Sequence, residues 1–283
     1  MAAELNRSAI DALFRRAFRE DAPYGDKTTE ALGIKGKGSG VFLAKQVLVA
    51  CGVPAALRAF NVADPACDVE PLVAEGAIVE PGTVMGRASG PLPALLLAER
   101  PALNLLQRLC GIATLSRRAS EAVAGTGCRV CDTRKTTPGL RLLEKYAVST
   151  GGAANHRMGL SDAILIKDNH IKAKGSITQA VAMAKSSSGP LWRVEVEVKS
   201  LAEFREAVAA GAEIIMLDNM SDEDMSAAAR ERPHGVVLEA SGNMTLDRLA
   251  RVAATGVDLI SIGALTHSAP ASDISFKIEP LTS

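Results

Sequence analysis

Asp132, Thr133, Arg134 and Lys135 follow the apolar run Cys128–Cys131, and Thr136, Thr137 and the turn Pro138-Gly139 come next. Two adjacent cations and three hydroxyls where a buried strand should end are costly unless they face water or a ligand. The same arrangement recurs down the chain. Lys167-Asp168-Asn169-His170 closes one apolar run and Asp218-Asn219 another. Glu239-Ala240-Ser241-Gly242-Asn243 and Ser261-Ile262-Gly263-Ala264 close two more. Glu195 and Glu197 lie two apart in RVEVEVK, so a strand would put them on one face. One polar strand end merely begins a loop; several at the same end imply a shared polar cavity.

The charges divide that cavity. Arg134, Lys135, His156, Arg157 and Lys167 come early and exceed the acids near them in sequence, so this side should receive an anion. Arginine grips a carboxylate with two parallel hydrogen bonds, and lysine adds a point charge. Each charge-assisted bond is worth about 1.5–3 kcal/mol, and three or four could support binding near the micromolar level, about 8 kcal/mol. The ordinary alternatives are solvated surface charges and, for His156, a satisfied structural histidine. Glu197 and Asp218 come later. Carboxylates there could accept from ribose hydroxyls or hold Mg²⁺, directly or through water. The turns Ser241-Gly242-Asn243 and Ser261-Ile262-Gly263 offer backbone N–H groups where barrels often bind phosphate. The pattern describes an anionic small molecule beside a sugar phosphate.

Positioning these groups requires parallel strands. Seven runs qualify: CRVCDTR, KYAVSTG, AILIKDN, RVEVEVK, EIIMLDN, GVVLEAS and DLISIGA. Amphipathic segments such as SITQAVAMAK, LAEFREAVAA and TLDRLARVAA separate most of them, giving βαβ units. Eight would close a full barrel, so seven predict an incomplete (β/α) barrel or a missed strand. An open doubly wound sheet is the competing arrangement. Leu103, Leu106, Leu109, Ile112 and Ala113 mark one face of a long helix before the first unit. Residues 1–100 have another rhythm, with short apolar runs between glycines and prolines after a helical opening. These suit a small sheet with a helix or two. GIKGKGSG resembles a phosphate loop in composition, but without a strand-Gly-helix context it reads as a solvated hairpin.

Bulk properties exclude other classes. The 32 basic and 32 acidic residues cancel, which argues against a general nucleic-acid or membrane-surface role. No apolar run is long enough for a membrane span, and the N-terminus lacks the core of a secretory signal. Five scattered cysteines suit a reducing cytoplasm. Cys128 and Cys131 form a C-x-x-C, but a strand would turn their side chains to opposite faces.

Long blocks carry a further resemblance. EDAPYGDKTTE, ERPALNLLQRLCGIAT, DTRKTTPGLRLLEKYAV, GGAANHRMGLSDAILIKDNHI, VEVEVKS, IIMLDNM, LEASGNM and ISIGALTHS span nearly the whole chain. With them the chain resembles the quinolinate phosphoribosyltransferases. The resemblance implies an N-terminal α/β sandwich domain over residues 1–110 and a seven-stranded α/β barrel over 111–265. A tail, 266–283, should return to the first domain. It implies a homodimer, with Mg²⁺, that joins quinolinate to phosphoribosyl pyrophosphate and releases pyrophosphate and CO₂. Arg134, Lys135, His156, Arg157 and Lys167 would surround the two carboxylates, beside Thr133, with Arg100 supplied by the neighbouring copy. Glu197 and Asp218 would serve ribose and metal, and the turns at Ser241-Gly242-Asn243 and Ser261-Ile262-Gly263 the 5′-phosphate. Lys135, Lys167, Glu197 and Asp218 would be the catalytic set.

The sequence departs from the usual family pattern at Ala153, Asn243 and Pro101. Asn tolerates positive φ, and proline suits the first turn of a helix. Other readings are a paralogue acting on another base, a Schiff-base barrel using Lys167 or Lys135, and a regulatory protein that binds phosphoribosyl pyrophosphate without turnover.

Overall fold

The structure is a computed structural model describing residues 6–281. Twelve strands occur among the described residues. They are β1 (Lys37–Ala44), β2 (Leu48–Val49), β3 (Asp68–Pro71), β4 (Ile78–Val79), β5 (Val84–Pro91) and β6 (Arg129–Cys131). Then follow β7 (Ile164–Ile166), β8 (Val194–Val198), β9 (Ile214–Asp218), β10 (Val237–Ser241), β11 (Leu259–Ser261) and β12 (Ile274–Pro280). The chain forms two compact units. One holds the chain up to Ser116, Ser149–Gly151 and everything from Ala269; the other holds Arg117–Val148 and Gly152–Ser268.

In the first unit an antiparallel sheet runs β12-β1-β5-β3. Every second residue of β1 is buried. Phe42 on that face meets Phe276 at 4.8 Å and Phe60 of the Val53–Ala63 helix at 6.0 Å between ring centroids. GIKGKGSG is therefore no solvated hairpin: its second half is the start of β1, flanked by β5 and β12. The glycines fit for lack of room. A Cβ on Gly38 would lie 2.5 Å from Leu92 Cδ2, and one on Gly40 2.4 Å from the Phe276 ring.

The predicted long helix runs Leu92–Ala122, and its marked face is buried. Pro101 is an interior residue of this helix rather than a member of its first turn, because the helix begins at Leu92. Proline there supplies no N–H to the carbonyl four residues back and crowds it, which favours a bend.

The second unit is a parallel sheet ordered β6-β11-β10-β9-β8-β7. It has six strands, not seven. KYAVSTG, read as a strand, belongs to the helix Arg141–Thr150. Its β-branched and aromatic residues suggest a strand, but Leu143 with Ala147 and Glu144 with Val148 are buried in pairs four apart, a helical face. The missing place in the sheet is taken by Ala154, which makes an isolated parallel bridge to Cys131. Ala154 donates to Val130 O at 2.8 Å, and Asp132 N donates to Ala154 O at 3.1 Å. Helices Ile177–Ser187, Leu201–Ala209, Asp222–Glu231 and Leu246–Ala253 connect the later strands. Serines 176, 200 and 221 cap the first three with side-chain oxygens.

Candidate functional site

The C-terminal ends of the parallel strands enclose a cavity of about 320 Å³. Thr133, Arg134 and Lys135 reach it from the loop after β6, and His156 and Arg157 from the segment after the Ala154 bridge. Lys167, Glu197 and Asp218 come from the ends of β7, β8 and β9. Ser241, Gly242, Asn243 and Ser261 come from β10 and β11. The sequence separates these groups by up to 128 positions, and the parallel sheet brings them to one mouth. Ile262 is buried, and neither it nor Gly263 lines the cavity. Arg100 is exposed on the part of the Leu92–Ala122 helix that belongs to the first unit.

A buried ion pair sets the cationic side. Asp132 and Lys145 are 0% and 1% exposed and bond to each other. Lys145 Nζ also donates to His156 O at 2.9 Å, and Asp132 Oδ1 accepts from His156 N at 2.8 Å. Asn155 Nδ2 donates to Asp132 Oδ2 at 2.7 Å and to Lys145 O at 2.9 Å. Burial pushes the Asp132 carboxyl up, with Lys145, Asn155 and the His156 N–H opposing. One network thus fixes the loop carrying Arg134 and Lys135 against the turn carrying His156 and Arg157.

Lys135 has a second anchor. Thr266 Oγ1 donates to Lys135 O at 2.8 Å, and a Cβ at Gly263 would lie 2.7 Å from Lys135 Cδ. Arg157 Nη1 donates to Ala163 O at 3.3 Å. Burial holds Arg157 below the usual arginine range, and the nearby Arg134 charge lowers it further. Among the described residues Arg134, Lys135 and Arg157 make no ion pair. Lys167 does: its Nζ lies 2.5 Å from Glu197 Oε2. His156 Nε2 lies 3.4 Å from both Glu195 Oε2 and Glu239 Oε2. The expected excess of five cations therefore contracts to three unpaired ones, because strands β8 and β10 deliver acids that the linear sequence keeps far from the cations.

Burial opposes a charged His156 ring, but hydrogen bonding and charge from Glu195 and Glu239 outweigh it and push the ring up to about 10. Burial pushes Glu195 up as well. The proton belongs to the coupled group rather than to the ring alone. Arg157 N donates to His156 Nδ1 at 2.8 Å. That bond needs a lone pair on Nδ1, so the ring is neutral with its one proton on Nε2, and the further proton taken up by the coupled group rests on the carboxyl side, where burial pushes Glu195 up.

The late turns are tight. Asn219 and Asn243 take positive φ, 54° and 47°, as anticipated for Asn243. Gly242 has φ +96°, and a Cβ there would sit 2.2 Å from Asn219 Oδ1. Asn243 Nδ2 donates to that same oxygen at 3.1 Å.

Of four further lining residues, Leu165 and Met216 escaped the sequence reading of the site, while Asn219 and Glu239 stood at its polar strand ends without an assigned role. Three had a signal. Leu165, Met216 and Glu239 each precede a predicted residue (Lys167, Asp218, Ser241) by two, the strand period. They form the layer beneath, with Glu195 below Glu197. Glu197 and Asp218 provide the oxygen donors a hard cation prefers, so the donor set fits Mg²⁺. All five cysteines are free and buried, and burial pushes Cys128 up to about 11, which keeps its thiol protonated.

Comparison with known proteins finds two family matches. "Quinolinate phosphoribosyl transferase, N-terminal domain" covers residues 26–110, and "Quinolinate phosphoribosyl transferase, C-terminal domain" covers 112–277. A Synechocystis protein described as a probable nicotinate-nucleotide pyrophosphorylase (carboxylating) is 44% identical over 272 residues, 95% of this chain and 92% of its own. The human nicotinate-nucleotide pyrophosphorylase (carboxylating) is 39% identical over 274 residues, 95% and 91% of the two chains. The solved structure of the nicotinate-nucleotide pyrophosphorylase from Francisella tularensis superposes with a TM-score of 0.93 at 36% identity, covering 99% of each chain.

Proposed function

The chain belongs to the quinolinate phosphoribosyltransferase family, and we propose that it transfers the phosphoribosyl group of phosphoribosyl pyrophosphate to quinolinate. The products are nicotinate mononucleotide, pyrophosphate and CO₂, a step in NAD biosynthesis. The observation that carries this reading is the cavity itself, which gathers the unpaired cations Arg134, Lys135 and Arg157, the apolar Leu165 and Met216, and the acids Glu197 and Asp218 in one lining.

In this reading Arg134, Lys135, Arg157 and Lys167 hold the two carboxylates, with Thr133 beside them and His156 below. Leu165 and Met216 offer apolar surface to the pyridine ring. Held there, the ring nitrogen attacks the anomeric carbon as the bond to pyrophosphate breaks. Positioning supplies much of the rate. Glu197 and Asp218 stabilise positive charge developing on the ribose. Both would also hold Mg²⁺, whose charge assists pyrophosphate as a leaving group. The ribosylated nitrogen is cationic, so it stabilises the electron pair left on the adjacent carbon when CO₂ departs. A proton from Lys135 or Lys167 then occupies that carbon. Backbone N–H groups at Ser241-Gly242-Asn243 suit the 5′-phosphate, whereas the Ile262 N–H already donates to Cys131 O at 2.9 Å and leaves Ser261 to line that side of the cavity. We place the enzyme in the cytoplasm as a homodimer, with Arg100 of each copy reaching the neighbouring site. No helix among the described residues is long and apolar enough to cross a membrane.

The test is nucleotide formation from quinolinate, phosphoribosyl pyrophosphate and Mg²⁺, with Lys135→Ala and Arg157→Ala alongside. Loss of one charge-assisted bond costs about 1.5–3 kcal/mol, about a tenfold to hundredfold rise in the quinolinate KM. Circular dichroism should stay that of the unsubstituted protein. Unchanged KM in both variants would remove the carboxylate pocket from the reading.

A further inference from the structure

Glu195 and Glu239 are 4% and 1% exposed inside a parallel barrel, where aliphatic side chains are the rule. Their Oε1 atoms have no hydrogen-bond partner among the described residues. Two buried acids beneath a cavity suited to an anion oppose its binding, and burying them is costly in itself. Leucine or methionine at either place would pack at lower cost. Such an expense points to a task.

The task is visible in what they touch. Both Oε2 atoms converge on His156 Nε2 at 3.4 Å, one from β8 and one from β10. The other ring nitrogen, Nδ1, accepts from Arg157 N at 2.8 Å. The His156 backbone N–H goes to Asp132 Oδ1 at 2.8 Å. Both ring nitrogens are therefore engaged within the protein, and neither is left to donate to a substrate carboxylate. The ligand atoms of His156, Glu195 and Glu239 lie within 4.8 Å of one another, close enough for a cation. A metal ion would need the lone pair on Nε2 and so a proton on Nδ1, where the Arg157 N–H already points. The geometry fits a strut instead.

We propose that Glu195 and Glu239 are positioning residues: they clamp the His156 ring from below, and the ring in turn holds the Arg157 backbone so that its guanidinium faces the dicarboxylate. His156 acts through Arg157 and through its ring face, rather than as a hydrogen-bond donor to the substrate. This rests on the proposed reaction. It explains the burial of two acids under an anion site, since a clamp from two different strands fixes the ring's rotation as one contact could not.

The test compares Glu239→Leu and Glu195→Leu, which fill the space without an acceptor, with Glu239→Gln and Glu195→Gln, which keep one. Steady-state kinetics are measured with each substrate varied in turn. The leucine variants should raise the quinolinate KM about tenfold or more while the KM for phosphoribosyl pyrophosphate stays within about twofold. The glutamine variants should return the quinolinate KM to within about threefold of the unsubstituted enzyme. The inference is overturned if folded leucine variants keep the original quinolinate KM, or if both KM values rise together and glutamine gives no recovery. If the leucine variants do not fold, glutamine variants with a tenfold quinolinate defect overturn it equally. An unsubstituted enzyme without turnover would instead sink the reaction assignment.

Discussion

At the scale of single residues, the cavity is read most easily from its rim. Arg134, Lys135, Lys167, Glu197 and Asp218 announce themselves because charge at the end of an apolar run is improbable without a use. The layer below is quieter. Leu165 and Met216 look like ordinary core, and Glu239, read as one of the polar strand ends, had no role until its strand fixed its direction. Gly263 shows how a residue's reason can shift. The sequence offered it as a backbone N–H for phosphate, while the structure shows Lys135 passing over it, with Cδ 2.7 Å from where a Cβ would stand. Gly263→Ala should therefore displace Lys135 and raise the quinolinate KM, in the same direction as Lys135→Ala. In the double variant the two effects should not add, because the alanine has nothing left to push. A double-mutant cycle on the quinolinate KM checks this. Full additivity, with the rise confined to phosphoribosyl pyrophosphate, would return Gly263 to the phosphate.

At the scale of elements, local pattern succeeded where one face is buried and failed where tertiary contacts decide. The long helix was legible because Leu103, Leu106 and Leu109 keep its period. KYAVSTG misled because a run of β-branched and aromatic residues outweighed the i, i+4 pairs on either side of it. GIKGKGSG misled because the rings and side chains that exclude a Cβ come from Leu92 and Phe276, far away in sequence. The helix that replaced the expected strand also supplies Lys145, the partner of Asp132. Removing one member of so buried a pair costs about 3–5 kcal/mol, whereas replacing both with apolar or neutral groups costs less. Asp132→Asn should lower the thermal midpoint sharply and loosen the His156-Arg157 turn. Asp132→Asn with Lys145→Met should recover part of the stability but not the quinolinate affinity, since His156 O and N keep fewer partners. Thermal unfolding and quinolinate titration on the same samples separate the two effects. A double variant less stable than the sum of its singles contradicts the pairing.

At the scale of the whole molecule, net charge conceals the site. The 32 acids and 32 bases cancel, yet three unpaired cations face one cavity. Every residue lining that cavity belongs to the second unit, while Arg100 lies exposed in the first. Whether Arg100 serves its own chain or another is a question of assembly, and subunit exchange answers it. Arg100→Ala and Lys167→Ala proteins should each be inactive. In a mixed dimer the chain bearing Arg100→Ala keeps its own Lys167 and receives intact Arg100 from its neighbour, so one site is whole. The other site lacks both groups. Random exchange of equal amounts makes half the dimers mixed, so about a quarter of the sites should recover activity. If Arg100 acted within its own chain, each site in the mixed dimer would still lack one group, and verified exchange would restore nothing.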